Sequence, residues 1–279
     1  MTATENISGP LLVIQVQKDD GQSVKTAAYI SPPAARAAHP SLATTLLWQQ
    51  PEPILDLALN GDRMLVLSPA QIQVFQRSNA TWQAAESAQL DTFAPSRDPR
   101  GKLRISQDSL TAFLSGGTCT GQWEPSLQVT CADSTEEFQS DGERLHFFSG
   151  ENTFETTAGE NIFSIARAGE FRLIASIDGV IHASRGQQAF TIPDWGSDIA
   201  SLPERCGGNP VFLASSPTAT DSLTAFELTG PNPRRISDPL LVPGPVTALW
   251  PASGGVLAVV HEVAKERYAA YLVSLDCGN

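Results

Sequence analysis

The densest group of like-charged side chains in this chain is Arg97-Asp98-Pro99-Arg100-Gly101-Lys102-Leu103-Arg104, which places four of its 18 lysines and arginines in eight positions. Arginine grips carboxylates through a planar fork of donors, so Arg97, Arg100, Lys102 and Arg104 are the candidate contact for an anion or an acidic partner. The competing reading is a turn entering a strand, with Lys102 and Arg104 on one face and Leu103 and Ile105 on the other. Asp56 is the second candidate, because it interrupts the apolar run Ile54 to Leu59. A carboxylate buried there needs partners or a shifted pKa, and either condition also serves function. Its structural alternative is a carboxylate bonded to backbone amides of a neighbouring sheet.

The other chemistry-bearing residues are scattered. His39, His146, His182 and His261 share no local motif, and no HExxH, GxSxG, GxxxxGK[ST] or dinucleotide-binding glycine pattern occurs. The calcium loop DxDxDG is also missing. Asp19-Asp20-Gly21, Asn60-Gly61-Asp62, Ser140-Asp141-Gly142 and Asp178-Gly179 read as hairpin turns. Trp48, Trp82, Trp123, Trp195 and Trp250 fit either a sugar-lined groove or packing between sheets. No catalytic centre, cofactor or metal is expected.

The four cysteines are Cys119, Cys131, Cys206 and Cys277. The first two bracket a hairpin-length segment, and Cys277 lies near the end of the chain, so Cys119–Cys131 and Cys206–Cys277 suit the chain best among the three possible connectivities. A metal site, which lacks a CxxC pair, and free buried thiols are the rivals. Two disulfides imply an oxidising compartment, periplasmic or extracellular. The opening Met1-Thr2-Ala3-Thr4-Glu5-Asn6 has neither a basic nor an apolar signal region, so an exported protein would have its native leader absent from this sequence. A cytosolic regulatory protein with reduced cysteines is the other reading of the same start.

The elements that position these residues repeat. Ile54–Leu59, Met64–Leu67 and Gln71–Phe75 follow one another across turns, as do Ile162–Ile165, Phe171–Ala175 and Val180–Ala183, and then Val246–Trp250, Val256–Val260 and Tyr268–Val273. Each unit is two nearly continuous apolar runs followed by a more alternating one, the pattern of an antiparallel meander. Units starting near Ile54, Leu103, Ile162, Ile199 and Val246 predict an all-β propeller of five or six antiparallel blades. A β-sandwich is the alternative. The chain is expected to be one propeller domain over 1–279, with N-terminal strands and a Pro/Ala loop in 10–48 and blade repeats in 54–275. The N-terminal strand Leu11–Val16, hairpinned to Val24–Ile30, is expected to complete the last blade and close the ring. The segment 136–159 is the least regular and reads as a degenerate blade or an inserted hairpin.

With 30 acidic against 18 basic residues the net charge is -12, which argues against nucleic acid as a partner. No apolar run approaches the ~20 residues of a membrane-spanning helix.

Three segments resemble parts of uncharacterised exported bacterial proteins related to FG-GAP/VCBS-type β-propellers. They are Arg97 to Leu103, Phe113-Leu114-Ser115-Gly116-Gly117-Thr118-Cys119, and Gly244-Pro245-Val246-Thr247-Ala248-Leu249-Trp250-Pro251. The stretch from Val259-Val260 through Arg267-Tyr268-Ala269-Ala270-Tyr271 to Cys277 is similar too, so the likeness spans the last two thirds of the chain. It implies a propeller, export, and a binding or assembly role. The acidic repeat loop of the calcium-binding members is missing, so calcium is not implied. Together these readings point to a non-catalytic extracytoplasmic binding or scaffolding module with a protein partner, a subunit of a larger envelope assembly. The alternative is a propeller enzyme acting on a glycan, with carboxylates such as Asp56 or Asp178 at the channel.

Overall fold

The computed structural model describes residues 39–79, 81–90, 101–114, 117–132, 164–176, 179–203, 206–218 and 220–278, and the backbone alone of 2–6, 9–17, 24–30, 133, 138–140, 145–147 and 162–163. The chain divides into two compact units, Met1–His39 with Gly278–Asn279, and Pro40–Cys277. In the first, Gly9–Gln17 pairs antiparallel with Thr2–Asn6 on one edge and Val24–Ile30 on the other.

Among the described residues, the second unit contains five antiparallel meanders, four of four strands and one of five, arranged as the blades of a propeller. Blade I is Asp56–Asn60, Arg63–Leu67, Gln71–Ser78 and Thr81–Gln89. Blade II is Gly101–Ser106, Ser109–Leu114, Gly117–Gln122 and Gln128–Asp133. Blade III is Ile162–Ala168, Phe171–Ser176, Ile181–Arg185 and Gln188–Ile192. Blade IV is Ile199–Leu202, Val211–Ser215, Ser222–Glu227 and the short Arg234–Arg235, with Leu240–Leu241 also pairing the third strand. Blade V is Val246–Ala252, Gly255–Glu262, Arg267–Asp276 and, as its fourth strand, Ser41–Gln50.

The near-continuous apolar runs have a direct cause: a blade is covered on both faces. Within Arg63–Leu67, Met64 and Val66 pack toward blade V with Trp250 and Val259, while Leu65 and Leu67 pack toward blade II with Leu103 and Leu110. Val256 and Ala258 likewise join Leu213 and Leu223 of blade IV, and Leu257 and Val259 join Ile54 and Phe75 of blade I. Successive side chains point to opposite faces, so covering both requires apolar residues at every position rather than every second one. The outer strand Thr81–Gln89 has no such cover and is mostly polar and exposed.

The ring is closed by an N-terminal strand as expected, but that strand is Ser41–Gln50 rather than Leu11–Val16. Ser41–Gln50 runs antiparallel along Arg267–Asp276 from Ser41 opposite Asp276 to Gln50 opposite Tyr268. Leu11–Val16 already has partners on both of its edges, and a strand has only two. Between blades II and III, Phe138–Ser140 and Leu145–Phe147 form a hairpin next to Gly101–Ser106 and Ile162–Ala168. The rest of 136–159 lies outside the described residues. No described helix is long and apolar enough to cross a membrane.

Meander topology sorts the loops by face. Turns between first and second strands, and between third and fourth, emerge on one face. Turns between second and third strands, and connections between blades, emerge on the other.

Candidate functional site

Asp56 opens the innermost strand of blade I and is 1% exposed. Its Oδ1 accepts the Leu57 N–H at 2.8 Å, and its Oδ2 accepts the Leu103 N–H at 2.7 Å and the Lys102 Nζ at 2.6 Å. The Lys102 ammonium lies 4.7 Å from the centre of the Trp250 ring, and the Trp250 indole donates to the Leu55 carbonyl at 3.3 Å. Blades I, II and V are thereby joined through one carboxylate, one ammonium and one indole. Gly101 permits the close approach: a Cβ there would sit 2.9 Å from Leu55 Cδ1 and 3.1 Å from the Phe113 carbonyl oxygen.

This arrangement corrects the reading of the basic cluster. Lys102 does not share a solvated face with Arg104; it is 6% exposed and paired with Asp56, while Arg104 is exposed. A buried carboxylate requires a counter-charge and hydrogen bonds, and Lys102 and Leu103 of the neighbouring inner strand supply them. Arg97 and Arg100 lie outside the described residues. A cavity of about 250 Å³ adjoins the pair, walled by Leu57, Leu59, Ile105 and Leu257. Asp56 is the single carboxylate lining it among the described residues, and its oxygens already accept three donors. Asp178 lies outside the described residues.

A second concavity, of about 430 Å³, forms on the face carrying second-to-third-strand turns and blade connections. It is built where the connection from blade III to blade IV meets the 215–222 turn of blade IV and Pro245 and Val246 entering blade V. Backbone bonds hold the first two together: Gly196 N–H to the Ser215 carbonyl at 2.7 Å, and Ser215 N–H to the Asp198 carbonyl at 2.9 Å. The Ser215 hydroxyl accepts the Asp198 N–H at 3.2 Å. The Ser164 hydroxyl of blade III donates to the Ser197 carbonyl and accepts the Ile199 N–H. A Cβ on residue 196 would lie 2.4 Å from Ser215 Oγ and 2.7 Å from the Ser216 carbonyl oxygen, so glycine alone lets the two loops meet. The result is a rigid groove lined by Trp195, Ser197, Asp198, Ser216, Asp221 and Ser222, with no lysine, arginine or histidine among its described lining residues. The sequence carried only a faint signal of it, Trp195 in a turn-rich Asp194-Trp195-Gly196-Ser197-Asp198 connection.

Other charged clusters bridge neighbouring blades or hold single blades together: Arg63 of blade I pairs with Glu86 of its own blade at 3.4 Å and with Glu124, after the third strand of blade II, at 3.3 Å. In blade V, Glu262 accepts the Tyr271 hydroxyl at 2.6 Å, Arg267 Nε at 2.7 Å and Lys265 Nζ at 3.1 Å. Burial pushes the Glu262 carboxyl up, but these hydrogen bonds and the Arg267 charge outweigh it and hold the pKa at about 2. Burial and the hydrogen bond to that carboxylate raise Tyr271 to about 12. In blade IV, burial pushes the Glu227 carboxyl up, but the Asn209 and Arg234 side chains bonded to it bring it below its ordinary range. His261 stacks on Tyr268 with ring centroids 4.3 Å apart, and His182 is half-buried in blade III.

Both expected disulfides form. Cys119 and Cys131 stand directly opposite each other on the third and fourth strands of blade II. Cys206, between the first two strands of blade IV, bonds to Cys277 just after the third strand of blade V, tying two neighbouring blades.

No protein-family model and no curated protein matches the chain. The propeller part of the FG-GAP/VCBS resemblance therefore stands on the structure itself. Among solved structures, the WD40 domain of Neurospora crassa Pan2 superposes with a TM-score of 0.48 at 7% identity, over 79% of this chain and 75% of that one. The N-terminal domain of BBS1, crystallised in complex with ARL6, gives 0.45 at 11% identity over 79% and 78%. The N-terminal domain of Nup159 gives 0.43 at 10% identity over 80% and 76%. The likeness is one of fold alone.

Proposed function

We propose that this propeller is a non-catalytic binding or scaffolding module that works outside the cytoplasm, as a subunit of an exported or envelope-associated bacterial assembly. The observation that carries the reading is the groove at 195–198, 215–217 and 221–222. Loops from neighbouring blades are fixed there by backbone bonds around a polar concavity, which is how a propeller presents a recognition surface on a rigid frame. The two disulfides support the compartment, since such bonds persist where the surroundings are oxidising. Asp56, the residue on which the glycan-hydrolase alternative leaned, is engaged in holding blades I, II and V together. Arg97, Arg100 and Arg104 stay as a secondary contact for an acidic partner, with Lys102 withdrawn from it.

The test is site-specific photocross-linking in cells that export the protein. A cross-linking residue at Thr218, beside the groove, should capture a discrete envelope protein, and one at Asp108, on the opposite face, should not. Equal capture from both positions, or none from Thr218, would refute the use of this face.

A further inference from the structure

The groove holds side chains whose hydrogen-bonding capacity is unused and whose combination selects a ligand. Trp195 is 4% exposed, packs on Phe226 with ring centroids 4.5 Å apart, and lines the groove. Among the described residues its indole N–H has no acceptor and is not fully enclosed, and the residue lines the groove. A tryptophan this deeply buried ordinarily finds a partner for its N–H. Ser222, 6% exposed, also lines the groove with a hydroxyl that bonds to no described residue. Asp221 adds a half-buried carboxylate in the same condition; only its backbone carbonyl is engaged, by the Val242 N–H at 3.0 Å.

A fixed N–H donor, a carboxylate acceptor and a hydroxyl that does both suit a ligand whose groups also both donate and accept. An anion is disfavoured: Asp198 and Asp221 line the groove, no described cation does, and the chain carries net charge -12. A cation leaves the Trp195 indole N–H, which can only donate, without an acceptor. Hydroxyls of a neutral sugar satisfy all three groups at once, and about 430 Å³ falls within the roughly 300–1,000 Å³ of small-ligand clefts. We infer that this groove binds a neutral carbohydrate of one or two rings, one hydroxyl donating to Asp221 and another accepting from Trp195. The assignment rests on the reading of this face as a binding face and names what it recognises.

Saturation-transfer NMR on the purified full chain tests it. The probes are glucose, galactose, N-acetylglucosamine, cellobiose and chitobiose, with arginine methyl ester as the cation and glucuronate as the anion. Transfer to at least one neutral sugar is expected. Its affinity should fall about fivefold or more in Trp195→Phe, which keeps an aromatic ring and removes the N–H, and in Asp221→Ala. Should Trp195→Phe not fold, Asp221→Ala and Ser222→Ala carry the comparison, each checked by its melting curve. Three results would overturn the assignment: no transfer to any neutral sugar, transfer unchanged in the folded variants, or preference for either charged probe. Cross-linking from Thr218 without sugar binding would remove the carbohydrate and leave the binding face standing. Sugar binding without cross-linking would do the reverse to the protein partner.

Discussion

Asp56 and Lys102 show why a charged residue in an apolar run is ambiguous until its neighbours are known. With side-chain exposures of 1% and 8%, neither is solvated well enough to stand alone. Asp56→Ala should therefore cost about 3–5 kcal/mol in urea unfolding, because it leaves the Lys102 ammonium buried without its counter-charge. Asp56→Ala combined with Lys102→Met should recover most of that loss; a double variant no more stable than the single one would show that the ammonium does not depend on Asp56. Glu262 gives a pH-dependent counterpart. Its folded pKa of about 2 lies below the ordinary 4.5, so its contribution is fully present above pH 4.5 and is lost as pH falls toward 2. Glu262→Gln should flatten the stability profile across that window and leave the profile near neutrality parallel to wild type; an unchanged acid limb in the variant would contradict the assignment.

At the scale of elements, the closing strand matters most. Ser41–Gln50 covers an edge that Arg267–Asp276 would otherwise expose along ten residues. Because Met1–His39 forms a compact unit of its own, a chain starting at Pro40 should keep β-type circular dichroism and a single cooperative melt. A chain starting after Gln50 should lose on the order of 10 °C in Tm or aggregate, at about 2–4 °C per kcal/mol for a domain of this size. Equal melting of the two truncations would show that the strand does not close the ring. The glycines act at the same scale: Gly101 seats blade II against blade I, and Gly196 lets two loops of different connections form one wall of the groove.

At the scale of the molecule, the two faces of the propeller are built differently. The cavity near Asp56 and the Cys206–Cys277 bond belong to the face of first-to-second-strand turns, where the contacts are between blades. The groove at Trp195 belongs to the other, where loops of blades III, IV and V meet. Paired cysteines between blades IV and V and the strand shared by the two ends of the repeat array lock the ring at adjacent positions. A closed, locked ring keeps the loops of each face in register, which is the use of a propeller as a frame.

Strand order, blade starts and cysteine pairing were legible in the chain because they rest on local patterns. Two-sided burial writes itself as continuous apolar runs such as Met64–Leu67 and Val256–Val260, turns announce themselves in Asn60-Gly61 and Gly254-Gly255, and the position of Cys277 narrows its partner. The identity of the closing strand was not legible, because Leu11–Val16 and Leu46–Trp48 have the same strand character and only pairing distinguishes them. Nor was the withdrawal of Lys102 into an ion pair 46 positions away from Asp56. The groove was the least visible. Trp195, Asp221 and Ser222 are ordinary turn and strand residues in the sequence, and their unused donors and acceptors exist only once neighbouring blades bring them around a common space. Local periodicity determines strands; which polar atoms remain without a partner depends on every neighbour in three dimensions, and only the tertiary structure decides that.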